Sequence, residues 1–325
     1  MFLSMHNWMR AEPIELTIRR LAKFGYESIE IGGEPGKYNT QEVGRLLKEN
    51  KVRCWGSVTL MFPGLDLIAA DEAIRAKTVQ YCKDCVRMVR ELDGCELTIV
   101  PSTVGKVVPQ ASPEQEWAWC VEGLKEVYAY SEAQGIVLAL EPLNRFETNF
   151  LNRSDQAVAL ATAVGPNCGV CLDAFHINIE EEDLYQAILN TGKRLADFHI
   201  ADNNRMPPGY GDYNWAKLIR TLDEAGYKNA LTAEFVASLD RTPVNKYPEA
   251  LATEADSELT PEQFKFIQDH GSGVLTEKFY SWMVGECATT IRKAMKKAGV
   301  AETKVPKQIK VGKPGKAYAN IKTGF

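Results

Sequence analysis

Along the first 236 or so residues, short runs rich in apolar and β-branched positions alternate with longer stretches in which apolar residues recur every three or four places. Strands are predicted at 2–6, 27–31, 52–58, 96–100, 136–141, 169–173, 196–200 and 230–236. Between them lie helical stripes. Ile14, Ile18, Leu21 and Ala22 make one that stops at Gly25; Val79, Cys82, Val86 and Val89 make a second; Trp215, Leu218, Ile219 and Leu222 make a third that stops at Gly226. Ser112, Pro113 and Gln115 read as an N-cap, a first-turn proline and the return partner of a capping box. Strict alternation of strand and helix argues for parallel βα units. Eight strands with seven intervening helical segments predict a closed (β/α)8 TIM barrel of the α/β class. A doubly wound sheet is disfavoured, because no dinucleotide-type glycine fingerprint follows the first strand; Gly32 and Gly33 alone are a weak loop signal.

The pattern changes after the eighth strand. Residues 240–273 are rich in Pro, Glu, Asp and Gly and read as an insertion, followed by a final helix at about 276–298. Residues 1–298 then form one domain. The remainder, 299–325, carries Lys304, Lys307, Lys310, Lys313, Lys316 and Lys322 and reads as a partly disordered, solvated basic tail, with docking on a partner as the alternative. Insertion and tail are both expected on or near the catalytic side, because a loop leaving strand eight starts at that rim.

Composition narrows the class without naming a partner. With 45% hydrophobic residues, 25% charged and a formal net charge of -5, the 325-residue chain is an ordinary globular one, neither disordered nor built to coat nucleic acid. No basic segment followed by a long apolar stretch opens the sequence, and no run approaches the roughly 20 apolar residues of a membrane helix, so a cytoplasmic protein is expected. Eight cysteines are spread over a long chain, which predicts free thiols. The pairs Cys82/Cys85 and Cys168/Cys171 could be read as a zinc site, but they fall on helical and strand patterns rather than on tight turns.

In barrels of this kind the chemistry stands at the carboxyl ends of the strands. Glu141 ends strand five, Asp173 ends strand six, and His199 and Glu234 lie near the ends of strands seven and eight. Three carboxylates gathered at one rim would repel one another and resist ionisation unless a cation sits among them. Oxygen donors with one imidazole suit Mn²⁺, Mg²⁺ or Co²⁺.

The strings around these residues, EPLNRFETNFLN (141–152), CLDAFHINIEE (171–181), DFHIADNNRMPPG (197–209) and TAEF, together resemble the ketose 3-epimerases of the D-tagatose 3-epimerase type, within the xylose-isomerase-like barrel superfamily. The resemblance covers residues 1–236. It implies an isomerase that removes and returns a proton beside a sugar carbonyl through an enediolate, using one divalent cation, Mn²⁺ first and Co²⁺ or Mg²⁺ as alternatives. Glu141 and Glu234 would be metal ligands and the two acid/base groups, Asp173 and His199 ligands only. His176, Arg205 and Glu147 would hold substrate oxygens. A related group with the same barrel, the catalytic α subunits of C-glycoside deglycosidases, implies an alternative: a lyase that cleaves the sugar–aglycone bond of 3-oxo-glycosides and works with a small β subunit. The epimerase reading implies a homo-oligomer.

Other classes fit less well. The metal-dependent apurinic endonucleases of related fold assemble three metals with many histidines, and only His6, His176, His199 and His270 occur here. A non-catalytic sugar-binding module has no need of three converging carboxylates. Among aromatic residues that could stack on a sugar, Trp8 is expected near the ligand; Trp55 and Phe62 could stand there, and core packing competes for Trp55.

Overall fold

A computed structural model describes residues 1–237, 242–250, 260–270 and 275–325. Its strands are β1 (Phe2–Met5), β2 (Ser28–Gly32), β3 (Arg53–Val58), β4 (Glu96–Ile99), β5 (Val137–Leu140), β6 (Gly169–Asp173), β7 (Leu195–Ile200) and β8 (Ala230–Ala233). The ladder runs β1-β8-β7-β6-β5-β4-β3-β2, parallel throughout. The remaining seam between β1 and β2 is joined by the Glu27 N–H donating to Leu3 O at 3.0 Å and by a bridge between His6 and Glu30. The predicted barrel is therefore present.

Helices α1 (Ile14–Phe24), α2 (Thr40–Asn50), α3 (Glu72–Glu91), α4 (Pro113–Gln134), α5 (Ser154–Val164), α6 (Ala174–Glu180), α7 (Leu184–Thr191), α8 (Trp215–Glu224), α9 (Pro261–His270) and α10 (Glu277–Ala298) are the α-helices of the described residues. Their ends follow local chemistry. Gly25 stops α1 at φ 73°, a left-handed conformation that glycine adopts without penalty. Ser112 Oγ accepts the Gln115 N–H at 3.3 Å and forms the expected N-cap of α4, with Pro113 as its first residue. Thr276 caps α10 in the same way, accepting from Phe279 N–H at 3.2 Å.

Strand alternation divides the interior into two compartments. Leu3, Ile29, Leu97, Leu138, Leu172 and Leu231 face outward and join Ile18, Val86, Leu124, Leu160 and Leu218 of the helices in one core. The lumen-facing residues begin at the amino ends of the strands with an apolar floor. Phe2, Trp55, Cys95 and Ala230 form one part, with the Phe2 and Trp55 rings 5.3 Å apart edge to face; Val137, Ala139, Cys171 and Ala196 form another. Trp55 is thus a floor residue and not part of the sugar-binding side. All eight cysteines are free and buried, and no metal-competent group among the described residues contains two of them, so the zinc reading falls away.

The tail overturns two expectations. It is held against the barrel through a few apolar residues while its six lysines stay exposed, and it begins on the face opposite the strand carboxyl ends. Val305 enters the floor beside Phe2 and Trp55, and Ile309 and Val311 pack under Val137, Ala139, Cys171 and Ala196. Backbone bonds from Thr303 to Met1, Gly312 to Lys193 and Gly315 to Asn190 fix its path, and Lys304 pairs with Glu27 at 2.7 Å. The reason is topological: α10 runs antiparallel to the strands and delivers the chain to their amino ends. Only the last residues climb back outside the helices, where Tyr318 OH meets Ser154 Oγ at 3.1 Å and Trp117 Nε1 donates to Thr323 O at 3.2 Å.

Of the expected insertion at 240–273, the described parts are 242–250 and 260–270; the rest lies outside the described residues. No helix among the described residues is long and apolar enough to cross a membrane.

Candidate metal centre

Each of the four rim residues is set by its strand. Glu141 follows β5 and stays in the ladder through its N–H, which donates to Ile99 O at 3.0 Å; Glu234 follows β8 and donates likewise to Ile200 O at 3.0 Å. Asp173 ends β6, and its Oδ1 caps α6 by accepting the Phe175 N–H at 2.6 Å. His199 sits in β7, in register with Asp173 on one side and Thr232 on the other. One potential ligand atom from each of Glu141, Asp173, His199 and Glu234 lies within 4.8 Å of all the others. All four residues are buried, and His199 Nδ1 stands 3.1 Å from Glu141 Oε1 and 3.0 Å from Glu234 Oε2.

The donor set fits a hard or borderline divalent cation: three carboxylates and an imidazole, with no thiolate in the group. Arg205 is the basic side chain in contact with it, through Asp173 Oδ2 and, at 3.2 Å, Glu234 Oε1. Three carboxylates against one guanidinium leave room for two further positive charges. Burial shifts the titrations accordingly. It pushes Glu234 up to about 7, against the opposing pull of Arg205 and His199. For Asp173 burial acts upward too, but Arg205, His176 and a hydrogen bond from Glu234 hold it well below the usual range. Burial disfavours the charged ring of His199, yet Cys171, Glu141, Glu30 and Glu234 together raise it well above its ordinary value.

Arg205 is itself held in a constrained backbone. Its φ of 64° is left-handed, which costs a non-glycine residue on the order of 1 kcal/mol or more. Two backbone bonds maintain it, from its N–H to Asp202 O at 2.9 Å and from Val236 N–H to its carbonyl at 2.8 Å, and its guanidinium lies 4.9 Å from the centre of the Phe175 ring.

Above the cluster opens a cavity of about 410 Å³, lined on its polar side by Glu141, Glu147, His176, Arg205 and Glu234 and including Trp8 and Phe62. Every residue expected to touch substrate therefore faces one space. The other wall, with Leu60, Met61, Val100, Val104 and Leu143, is apolar, and Gln268 of α9 reaches the same cavity.

Several participants escaped the sequence reading. Asn144 joins two of the polar residues, donating from Nδ2 to Glu147 Oε1 at 2.7 Å and lying 2.9 Å from His176 Nδ1, which also faces the Asn144 N–H at 3.3 Å. Its signal was its place inside the string NRFE. Beneath the four rim residues stand His6, Glu30 and Asp197, each fully buried, with His6 Nε2 4.0 Å from Glu234 Oε2. Burial, followed by His199 and Arg205, pushes His6 well below its usual value, so its ring is neutral.

Comparison with known proteins agrees with the barrel fold. A family model described as the xylose isomerase-like TIM barrel matches residues 18–260. The chain is similar to the L-ribulose 3-epimerase of Methylomonas sp. (strain DH-1), 30% identical over 220 residues that cover 67% of this chain and 76% of the relative. It is similar also to the D-psicose 3-epimerase of Agrobacterium fabrum, 30% identical over 230 residues, 67% and 77% of the two chains. Among solved structures, a D-allulose 3-epimerase from Methylomonas sp. superposes with a TM-score of 0.75 at 22% identity, covering 90% of this chain and 98% of that one.

Proposed function

This chain belongs to the xylose isomerase-like TIM barrel family, and on that premise we propose that it is a metal-dependent ketose 3-epimerase. The observation that carries this reading is the convergence of Glu141, Asp173, His199 and Glu234 at the base of a cavity otherwise lined by Glu147, His176, Arg205 and Trp8. Curated relatives that are themselves ketose 3-epimerases support it.

Those four residues would hold one divalent cation, Mn²⁺ first and Co²⁺ or Mg²⁺ as alternatives, since oxygen donors with one imidazole suit all three. The ion's contribution when bound is Lewis-acid charge beside the reacting carbon. The chain supplies the proton transfers. A sugar lying between Glu141 and Glu234 presents one face of its acidic carbon to each carboxylate. Removal of the proton by one and delivery by the other to the opposite face inverts that carbon. Arg205 places fixed positive charge near the oxygen that becomes negative. His176 and Glu147, tied together through Asn144, would position the neighbouring hydroxyls, and the Trp8 ring would cover an apolar sugar face.

A second reading is favoured by the apolar wall of the cavity. Leu60, Met61, Val100, Val104 and Leu143 offer little to a free sugar but would receive an aglycone, as a lyase acting on 3-oxo-C-glycosides requires. That reading brings a small β subunit as partner, whereas the epimerase reading brings a homo-oligomer.

Incubation of the Mn²⁺-loaded chain in D2O separates the two. Deuterium at C3 of a ketose is the expected outcome, and aglycone release from a 3-oxo-C-glycoside would replace epimerisation by lysis. Chelation should abolish turnover and Mn²⁺ or Co²⁺ restore it; full activity of metal-free enzyme would overturn both readings. Glu234→Gln should lower turnover by roughly 10²–10⁴-fold while still binding the ion.

A further inference from the structure

The ring of His199 has two sides, and only one faces the four-residue cluster. While Nδ1 points at Glu141 and Glu234, Nε2 points down the barrel lumen, 3.4 Å from Glu30 Oε2 and 3.5 Å from Asp197 Oδ2. Strand geometry explains the meeting: Asp197 precedes His199 by two residues in β7 and so shares its lumen face, and Glu30 reaches in from β2 across the barrel. All three residues are fully buried. Asp197 Oδ1 is already engaged, accepting the Phe198 N–H at 2.8 Å and the Tyr227 hydroxyl at 3.3 Å, which leaves Oδ2 turned to the ring. Among the described residues neither that oxygen, nor either oxygen of Glu30, nor His199 Nε2 makes a hydrogen bond.

A buried polar atom left without a partner costs about 1–3 kcal/mol, and a charged one more. A hydrogen on Nε2, shared between the two facing carboxylates, would give Nε2, Glu30 Oε2 and Asp197 Oδ2 a partner at once, and when the ring is neutral it leaves a lone pair on Nδ1. We propose that Asp197 and Glu30 are positioning residues: they hold the hydrogen on His199 Nε2, and so aim the Nδ1 lone pair at the ion site formed with Glu141, Asp173 and Glu234. A carboxylate that accepts the Nε2 hydrogen also makes the ring a stronger donor. The inference rests on the metal centre proposed above, but it is read from ion binding and not from sugar turnover.

The test titrates Mn²⁺ into the chelator-stripped full chain and into Asp197→Asn, Glu30→Gln and the double variant, each checked for native circular dichroism. Loss of the carboxylate partner should weaken Mn²⁺ binding roughly 10–100-fold, and the visible absorption of the Co²⁺-loaded variants should shift as the ring reorients. A role confined to packing would lower thermal stability and leave the Co²⁺ spectrum alone. Unchanged Mn²⁺ affinity with an unchanged Co²⁺ spectrum in a folded double variant overturns the proposal and leaves the metal centre standing. A wild-type chain that binds no Mn²⁺ overturns both. Should the variants not fold, nitrogen NMR of the Mg²⁺-loaded wild type decides: a proton on Nε2 of His199 is expected, and a proton on Nδ1 refutes the assignment.

Discussion

His199 and Glu234 meet at 3.0 Å, and in the metal-free chain both bind protons more tightly than their free side chains, so an ion competes with protons for them. Glu234 is pushed up to about 7 by burial, and the surrounding carboxylates keep the His199 ring charged well above its ordinary range despite that burial. Ligands bind as carboxylate and as free imidazole nitrogen, so protons compete with the ion and affinity should rise with pH. Between pH 6 and 7 each displaced proton contributes up to about tenfold to the Mn²⁺ dissociation constant. Calorimetric titration at pH 6, 7 and 8 checks this; a flat affinity across that window would contradict the assignment of either residue as a ligand. The four rim residues were legible because a polar side chain closing an apolar strand is conspicuous. Asn144, Glu30 and Asp197 were not. A lone acid within a strand reads equally well as a solvent-facing position, and closure of the barrel turns that face inward.

Seven of the eight strands were read to within one residue at each end, because each carries a dense apolar signal. The largest shortfall lies at a carboxyl end, where 230–236 became Ala230–Ala233, although Glu234 keeps a strand-like backbone bond. The tail was misread for a physical reason. Its three floor-packing residues, Val305, Ile309 and Val311, are outnumbered by lysines that stay exposed, so composition spoke for solvent along the whole tail while position tucks those three against the floor. Val305→Ala should cost about 1–2 kcal/mol, the loss of two buried methyl groups, and a chain ending at residue 302 should lose several times that. Thermal melts of the metal-loaded protein measure both. The exposed Lys304–Glu27 pair should contribute little by comparison.

For the molecule as a whole, the acid-rich lumen links stability to pH. Burial, then Asp197, pushes Glu30 up to about 8, and Glu234 stands at about 7. Unfolding returns both to ordinary carboxyl values near 4.5, so over about pH 5 to 8 the native metal-free chain binds more protons than the unfolded one. Stability contributed by these groups is present at the acid end of that window and declines as pH rises. His199 acts in the same direction and His6 in the opposite one. Melting of chelator-treated protein should therefore shift downward from pH 5.5 to 8, and added Mn²⁺ should reverse most of the decline. A midpoint that climbs steadily with pH in chelator would contradict it.

The floor has a consequence for traffic. With Phe2, Trp55 and Val305 closing the amino ends of the strands, the cluster of Glu141, Asp173, His199 and Glu234 opens on the side of the cavity lined by Trp8 and Phe62. A sugar seated in that cavity would be the cork of a bottle. An ion below it could leave only after the guest had gone, and the protein would guard its charge most tightly while at work.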